Sequence, residues 1–293
     1  MSMTLAQIEA RVASTARRPW LGFLRRHPLL VIGAAMLLVM AAVSLAAPWI
    51  ATHDPTGMDV LQRLKPASAQ HYFGTDALGR DVFSRTLWGG RVSLIVGISV
   101  ALVATGIGVL IGMVAGFSRV ADTLIMRVMD GMMAIPGILL AVALMALVRA
   151  SIETVIIAIA VPEIPRVVRL VRSLVLIIRE QPYVQAAEAI GTRFHWILLR
   201  HVLPNAVTPL IVQGTFICAS AVIFEAYLSF LGAGTPPEIP SWGNMMAEGR
   251  AVVQLAFNII LFPGLFLGLT VLSINLLGDG LRDMLDPKIA RRL

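Results

Sequence analysis

The sequence predicts an all-α, polytopic membrane protein with six transmembrane helices, and two observations carry this. Hydrophobic residues make up 57% of the 293-residue chain and charged residues only 14%, whereas a globular domain holds about a quarter charged. The apolar residues also fall in runs near ~20 residues, the length that crosses the ~30 Å hydrocarbon layer as a helix.

The expected spans lie at about 28–50, 92–117, 123–148, 152–172, 206–231 and 255–277. The first resembles a signal peptide, with arginines before it and "SLAAPW" near its end, but its apolar run from Pro28 to Ala47 is longer than a signal h-region and reads as a retained span. The second holds Gly108, Gly112 and Gly116, a doubled small-xxx-small pattern that lets helices approach closely in lipid. The fourth carries Pro162, Glu163, Pro165 and Arg166, which predicts a short apolar part and a kinked helix.

Placing the N-terminus in the cytoplasm leaves Arg63, Lys65, Arg80, Arg85, Arg91, Arg149 and Arg250 outside and the other 17 of 24 basic residues inside. The reverse topology violates the positive-inside rule. The chain then divides into a cytoplasmic segment 1–27, the first span 28–50, an external loop 51–91, a five-helix core 92–281 and a cytoplasmic tail 282–293. Within the core, 183–204 faces the cytoplasm and 232–254 the outside. In the external loop, Asp76 with Arg80 and Asp81 with Arg85 are spaced i, i+4, as on a solvated surface helix held by weak ion pairs; the functional alternative is a rim that contacts a soluble partner.

The net charge of +7 and the pI near 10.6 would suggest nucleic acid for a soluble protein, but arginines flanking apolar runs account for them, so no nucleic acid is expected. The single cysteine, Cys218, rules out a disulfide within the chain or a Cys-based metal site. The only lysines, Lys65 and Lys288, lie in no Gly-x-x-x-x-Gly-Lys-Ser/Thr pattern, so ATP chemistry has to be done by a partner. His27, His53, His71, His195 and His201 form no His-Glu-x-x-His and lie outside or at the ends of the spans. No metal site, cofactor or catalytic residue is therefore expected in this chain.

Residues 183–204, "YVQAAEAIGTRFHWILLRHVLP", interrupt the apolar runs. Pro182 suits a first helical turn, Tyr183 to Ile190 is a good helix former, and Gly191 can end it in a left-handed cap. Thr192 can cap a second, amphipathic helix running to Pro204, with Phe194, Trp196, Ile197 and Leu198 against Arg193 and Arg200. The expected shape is a helix–glycine–helix elbow. Ala186, Ala187 and Ala189 allow close backbone approach to another protein, with Tyr183, Gln185 and Glu188 at the rim. An interfacial hairpin lying on lipid suits the second arm but not the alanine-rich first, which has too little apolar area.

Two alanines, glycine four residues on, and Leu-Pro twelve beyond that resemble the EAA loop of ABC importer permeases. Ala186, Ala187, Gly191, Leu203 and Pro204 match it; Gln185 replaces the usual acid and His201 a common aliphatic residue. "FGTDALGRDVFSRTLWGGRVSL" (73–94), "DTLIMRVMDGMMAIPGILLA" (122–141), "LSFLGAGTPPEIPSWGNMM" (228–246) and "LLGDGLRDMLDPK" (276–288) are similar to the second, C-type membrane subunit of dipeptide, oligopeptide and nickel importers. The resemblance implies the type I importer permease fold, a location in the bacterial inner membrane and a homologous second permease subunit. It also implies two ABC ATPase subunits that bind ATP and Mg and receive the elbows, and a periplasmic substrate-binding protein. The cargo implied is a di- or oligopeptide, with glutathione-type peptides or nickel chelates as the alternative.

Among polar residues in the spans, Glu225 admits two readings: a packing hydrogen bond to a neighbouring span, or a pathway acid meeting the cargo's amino group. Arg127 and Asp130, spaced i, i+3, are expected to pair structurally. Arg166, Arg169 and Arg172 recur every third residue, as in voltage sensors, which raises an ion channel as a rival class; a positive-inside flank explains them more simply, and 232–254 lacks a Thr-Val-Gly-Tyr-Gly filter. A membrane scaffold without transport is the other rival.

Overall fold

The structure, a computed structural model, describes residues 26–285; the segment before 26 and the end of the expected cytoplasmic tail lie outside the described residues. Among the described residues the secondary structure is helical, apart from one isolated antiparallel bridge between Thr75 and Asp81. The helices of eight residues or more are α1 (Pro28–Leu45), α2 (Val82–Phe117), α3 (Arg119–Met133), α4 (Gly137–Met145), α5 (Ile152–Arg179), α6 (Pro182–Ala189), α7 (Leu203–Phe230), α8 (Trp242–Gly249) and α9 (Asn258–Leu285). Four helical stretches are long and apolar enough to cross a membrane, and the α3–α4 pair adds a bent fifth. The fourth expected span, α5, carries too many charges to qualify by composition. Its 28 residues nevertheless reach about 42 Å at 1.5 Å per residue.

The expected start of the second span at 92 is corrected to 82. The Asp81 side chain accepts from the backbone N–H of Ser84 and so caps α2. The first turns stay helical because they are covered by protein: Trp242 is fully buried over Gly89 and Gly90 and donates from Nε1 to the carbonyl of Thr86 at 2.9 Å. The expected span 123–148 is broken in its middle. Pro136 lacks an N–H and pushes the residue before it out of the helical region; Pro136 itself is extended, and α3 and α4 meet at 86°.

Helix α5 starts at a capping box in which the Ser151 and Thr154 side chains each accept from the other's backbone N–H, and it continues through Pro162 and Pro165. It packs parallel to α2. A Cβ placed on Gly108, Gly112 or Gly116 would stand 2.5, 2.7 or 2.5 Å from the Cβ of Val167, Val171 or Val175. Three glycines thus seat three valines one turn apart, and the backbones approach as closely as glycine allows. Helix α7 runs antiparallel to α2, with Gly97 against Cys218 and Val222, and α1 and α9 pair antiparallel through Gly33 and Gly280. The core lies between α2, α5 and α7, where Val96, Val100, Ile159, Val167 and Ile217 are buried. Leu38, Leu102 and Leu110 are exposed on the outer face, as an apolar solvent requires.

The elbow and the end of α5 lie at one end of the bundle, and residues 51–81 with α8 lie at the other. Substituting Gly112→Val should overpack the ridge and cost about 1–3 kcal/mol, lowering the melting midpoint of the purified chain in detergent. Gly106→Val, where a Cβ meets open space, should leave the midpoint unchanged.

Candidate functional site

The elbow forms where the chain leaves α5. Gly191 has φ +81, the left-handed conformation that glycine adopts without cost. The Gly191 N–H bonds the Glu188 carbonyl at 2.9 Å and the Thr192 N–H bonds the Ala187 carbonyl at 3.0 Å, the paired 5→2 and 6→1 bonds of a Schellman motif. The expected glycine cap is therefore present with α6 beneath it. Val184 is fully buried and anchors α6 to the bundle. Glu188 is exposed on the elbow and lies 3.8 Å from Arg179 at the end of α5. Gln185 donates to the Glu180 carbonyl at 3.4 Å.

The expected separate second helix is corrected. Phe194–Ile197 forms a single α-turn and Leu198–Val202 a π-helical turn, which runs without a break into α7. Pro204, in the first turn of α7, has no N–H to offer the Arg200 carbonyl, and the widened turn lies where that bond is missing. Leu203 and Pro204 stand at the base of α7, outside the concavity of the elbow. That concavity, of about 490 Å³, is lined by Tyr183, Ala186, Ala187, Ile190, Thr192, Trp196, Arg200 and His201. Ile190 is 84% exposed and Trp196 55%. The site thus presents small side chains on one arm, two uncovered apolar side chains and a guanidinium. Small and exposed apolar side chains of this kind make the concavity a candidate docking surface.

The other expected residues are placed elsewhere. Glu225 on α7 is fully buried and accepts from the Ser93 hydroxyl of α2 at 3.0 Å and from Ser229 at 2.9 Å. Ser229 leads on through Thr235 to Ser241 and Asn244, so this carboxyl lies in a hydroxyl network joining two helices and the 232–241 segment. The expected Arg127–Asp130 pair is corrected: Arg169 takes Asp130 at 2.5 Å, and Arg127 is exposed. Arg166 pairs with Glu163 at 3.1 Å, and Arg172 donates from Nη2 to Asp122 at 2.7 Å. The three arginines that suggested a voltage sensor each hold one acid, two of them on α3.

At the opposite end, the four residues of the expected surface ion pairs are buried, and one of the two pairs forms. Arg80 Nε stands 2.6 Å from Asp76, across a turn and not along a helix. Arg85 bonds Glu248 at 3.2 Å and approaches Asp76 at 3.7 Å; Arg80 also bonds Glu248. No Asp81–Arg85 pair forms, because Asp81 is committed to the α2 cap and His71. Burial pushes the Glu248 carboxyl above its ordinary range, against the pull of Arg85 and Arg80. Spacing within one segment could not reveal a partner 163 residues away.

The family described as binding-protein-dependent transport system inner membrane component matches residues 108–291. The N-terminal transmembrane domain of oligopeptide transport permease C matches residues 19–67. A probable peptide ABC transporter permease protein of Sinorhizobium fredii is 53% identical, over 92% of each chain. A probable D,D-dipeptide transport system permease protein of Escherichia coli is 41% identical, over 93% of this chain and 91% of its own. A glutathione transport system permease protein of Pectobacterium atrosepticum is 40% identical, over 99% of this chain and 97% of its own.

Substituting Arg85→Met should leave Asp76 and Glu248 short of a buried partner and cost about 3–5 kcal/mol. The readout is the thermal midpoint of the purified chain, which should fall further than in Arg127→Met, an exposed change.

Proposed function

Since the chain belongs to the family of binding-protein-dependent transport system inner membrane components, we propose that it is the C-type permease subunit of an ATP-driven importer of di- or oligopeptides. It pairs with a homologous second permease subunit around a shared pathway, with both termini and the elbow in the cytoplasm. Two ABC ATPase subunits bind ATP and Mg, and a periplasmic binding protein delivers the cargo. The peptide cargo is supported by the names of the relatives from Sinorhizobium fredii and Escherichia coli. The relative from Pectobacterium atrosepticum supports glutathione as the second reading.

The observation that carries the coupling role is the elbow's uncovered concavity. Ala186 and Ala187 let an ATPase surface reach the backbone of α6, and Ile190 and Trp196 supply apolar area that the chain itself leaves in water. Burying an exposed isoleucine is worth about 1.5–3 kcal/mol. ATP draws the ATPases together, and each carries an elbow with it. A ligand shifts such an equilibrium only by its differential affinity for the two states. The elbow must therefore be stiff enough to pass ATPase spacing on to α5 and α7, and the Schellman turn, buried Val184 and the Arg179–Glu188 pair supply that stiffness.

Substituting Ala187→Trp should fill the concavity, lower peptide uptake at least tenfold and release the ATPases on purification, with the amount of membrane-inserted chain unchanged. Full uptake and unchanged co-purification would remove the coupling role. Peptide uptake with no competition from glutathione decides between the two cargo readings.

A further inference from the structure

We propose that His53, His71 and Asp81 form a binding site for a divalent transition-metal ion of the zinc class, at the end of the molecule opposite the elbow. Each of the three offers one ligand atom, and these atoms lie within 4.8 Å of one another. His71 Nδ1 is 2.8 Å from Asp81 Oδ1, and His53 Nδ1 is 3.9 Å from the same oxygen. Two ligand atoms each about 2.1 Å from one ion stand about 3.0–3.4 Å apart at octahedral to tetrahedral angles, so the two distances bracket the required spacing. The imidazoles are stacked, with centroids 4.6 Å apart. A hydrogen bond accounts for His71 and Asp81, and His53 Nδ1, which also lies 3.0 Å from the Thr52 hydroxyl, is held within reach of the same carboxylate oxygen.

The supporting shell divides the carboxylate's work. Asp81 Oδ2 accepts from the Ser84 N–H at 2.8 Å, the Ser84 hydroxyl at 2.7 Å and the Thr52 hydroxyl at 3.2 Å, which leaves Oδ1 toward the two rings. The backbone N–H of His53 bonds Ser84 Oγ at 3.1 Å, and that of His71 bonds Ser68 Oγ at 3.1 Å. These bonds hold the backbone of both histidines in place beside the carboxylate. The cleft beside them, about 700 Å³, is lined by Asp54 and Asp59 as well as Asp81, with no lysine or arginine, so its charge favours a cation. Two imidazoles and one carboxylate suit zinc, copper, nickel or cobalt over magnesium or calcium. His53 is half-exposed to the cleft, which leaves room for water to complete the shell. A bound ion ties the chain after α1 to the cap of α2.

The test uses the full-length chain, without a histidine tag, in lipid nanodiscs after chelator treatment, titrated with zinc alone at pH 7.5 against a chromophoric chelator. One ion per chain is expected, with a raised melting midpoint, and acidification to pH 5.5 should release it. His53→Ala should weaken binding at least tenfold and abolish the rise in midpoint, while leaving the metal-free midpoint near that of the parent. The His195→Ala, His201→Ala double variant should bind as the parent does. Sub-stoichiometric binding by the parent, equal binding by His53→Ala, or loss of binding in the double variant would each overturn the proposal.

Discussion

The seating of Val167, Val171 and Val175 on Gly108, Gly112 and Gly116 is the contact from which the rest of the bundle takes its register. In lipid there is no gain from hiding apolar side chains in an apolar solvent, so helices are held by close packing and by polar pairs. A glycine ridge gives both close approach and a fixed axial position, because the valines fit only one turn at a time. With α2 and α5 locked in parallel, other contacts fall into place. The Arg179 guanidinium reaches the Phe117 carbonyl at 3.2 Å and satisfies an end of α2. Arg169 and Arg172 meet Asp130 and Asp122 on α3, which holds that helix against the bundle despite the bend at Pro136.

The opposite end is organised by charge and hydroxyls in place of apolar packing. Arg80, Arg85, Asp76 and Glu248 tie residues 76–85 to α8, and Asn244 closes the 235–239 turn by donating to the carbonyls of Thr235, Pro236 and Ile239. Buried ions are expensive unless each has a partner, and here two guanidiniums share two carboxylates. Trp242 completes the cover by filling the space that Gly89 and Gly90 leave. The two segments flanking the apolar core therefore fold as one cap, and α2 can begin ten residues before its apolar run does.

Much of this was legible in the sequence. Apolar runs located the membrane helices, and the alanines and Gly191 located the elbow, because composition and left-handed caps are local properties. What was missed depended on distance along the chain or on competition between partners. Asp130 lies one helical turn from Arg127, yet α5 brings Arg169 closer, and local spacing carries no signal for a helix 39 residues away. Asp81 was expected to pair with Arg85; the α2 cap and His71 took it instead. His53, His71 and Asp81 are spaced 18 and 10 residues apart, a pattern that belongs to no metal motif; the turn at Thr75–Asp81 and the bonds of Thr52 and His53 to Asp81 and Ser84 bring them together.

The type I importer permease fold gives the elbow two exits, and they differ in stiffness. Toward α5 the connection is short and braced by Arg179, which bonds Glu188 on the elbow and Phe117 on α2. Toward α7 it is a π-helical turn, where one backbone bond is replaced by a wider one. In the proposed assembly a push on α6 therefore moves α5 and α2 as one body through the glycine ridge. A helix that was regular through Pro204 would tie both exits together and leave only rigid translation of the bundle. In the proposed assembly the irregular turn beside Pro204 would be the place where α5 and α7 can move relative to one another.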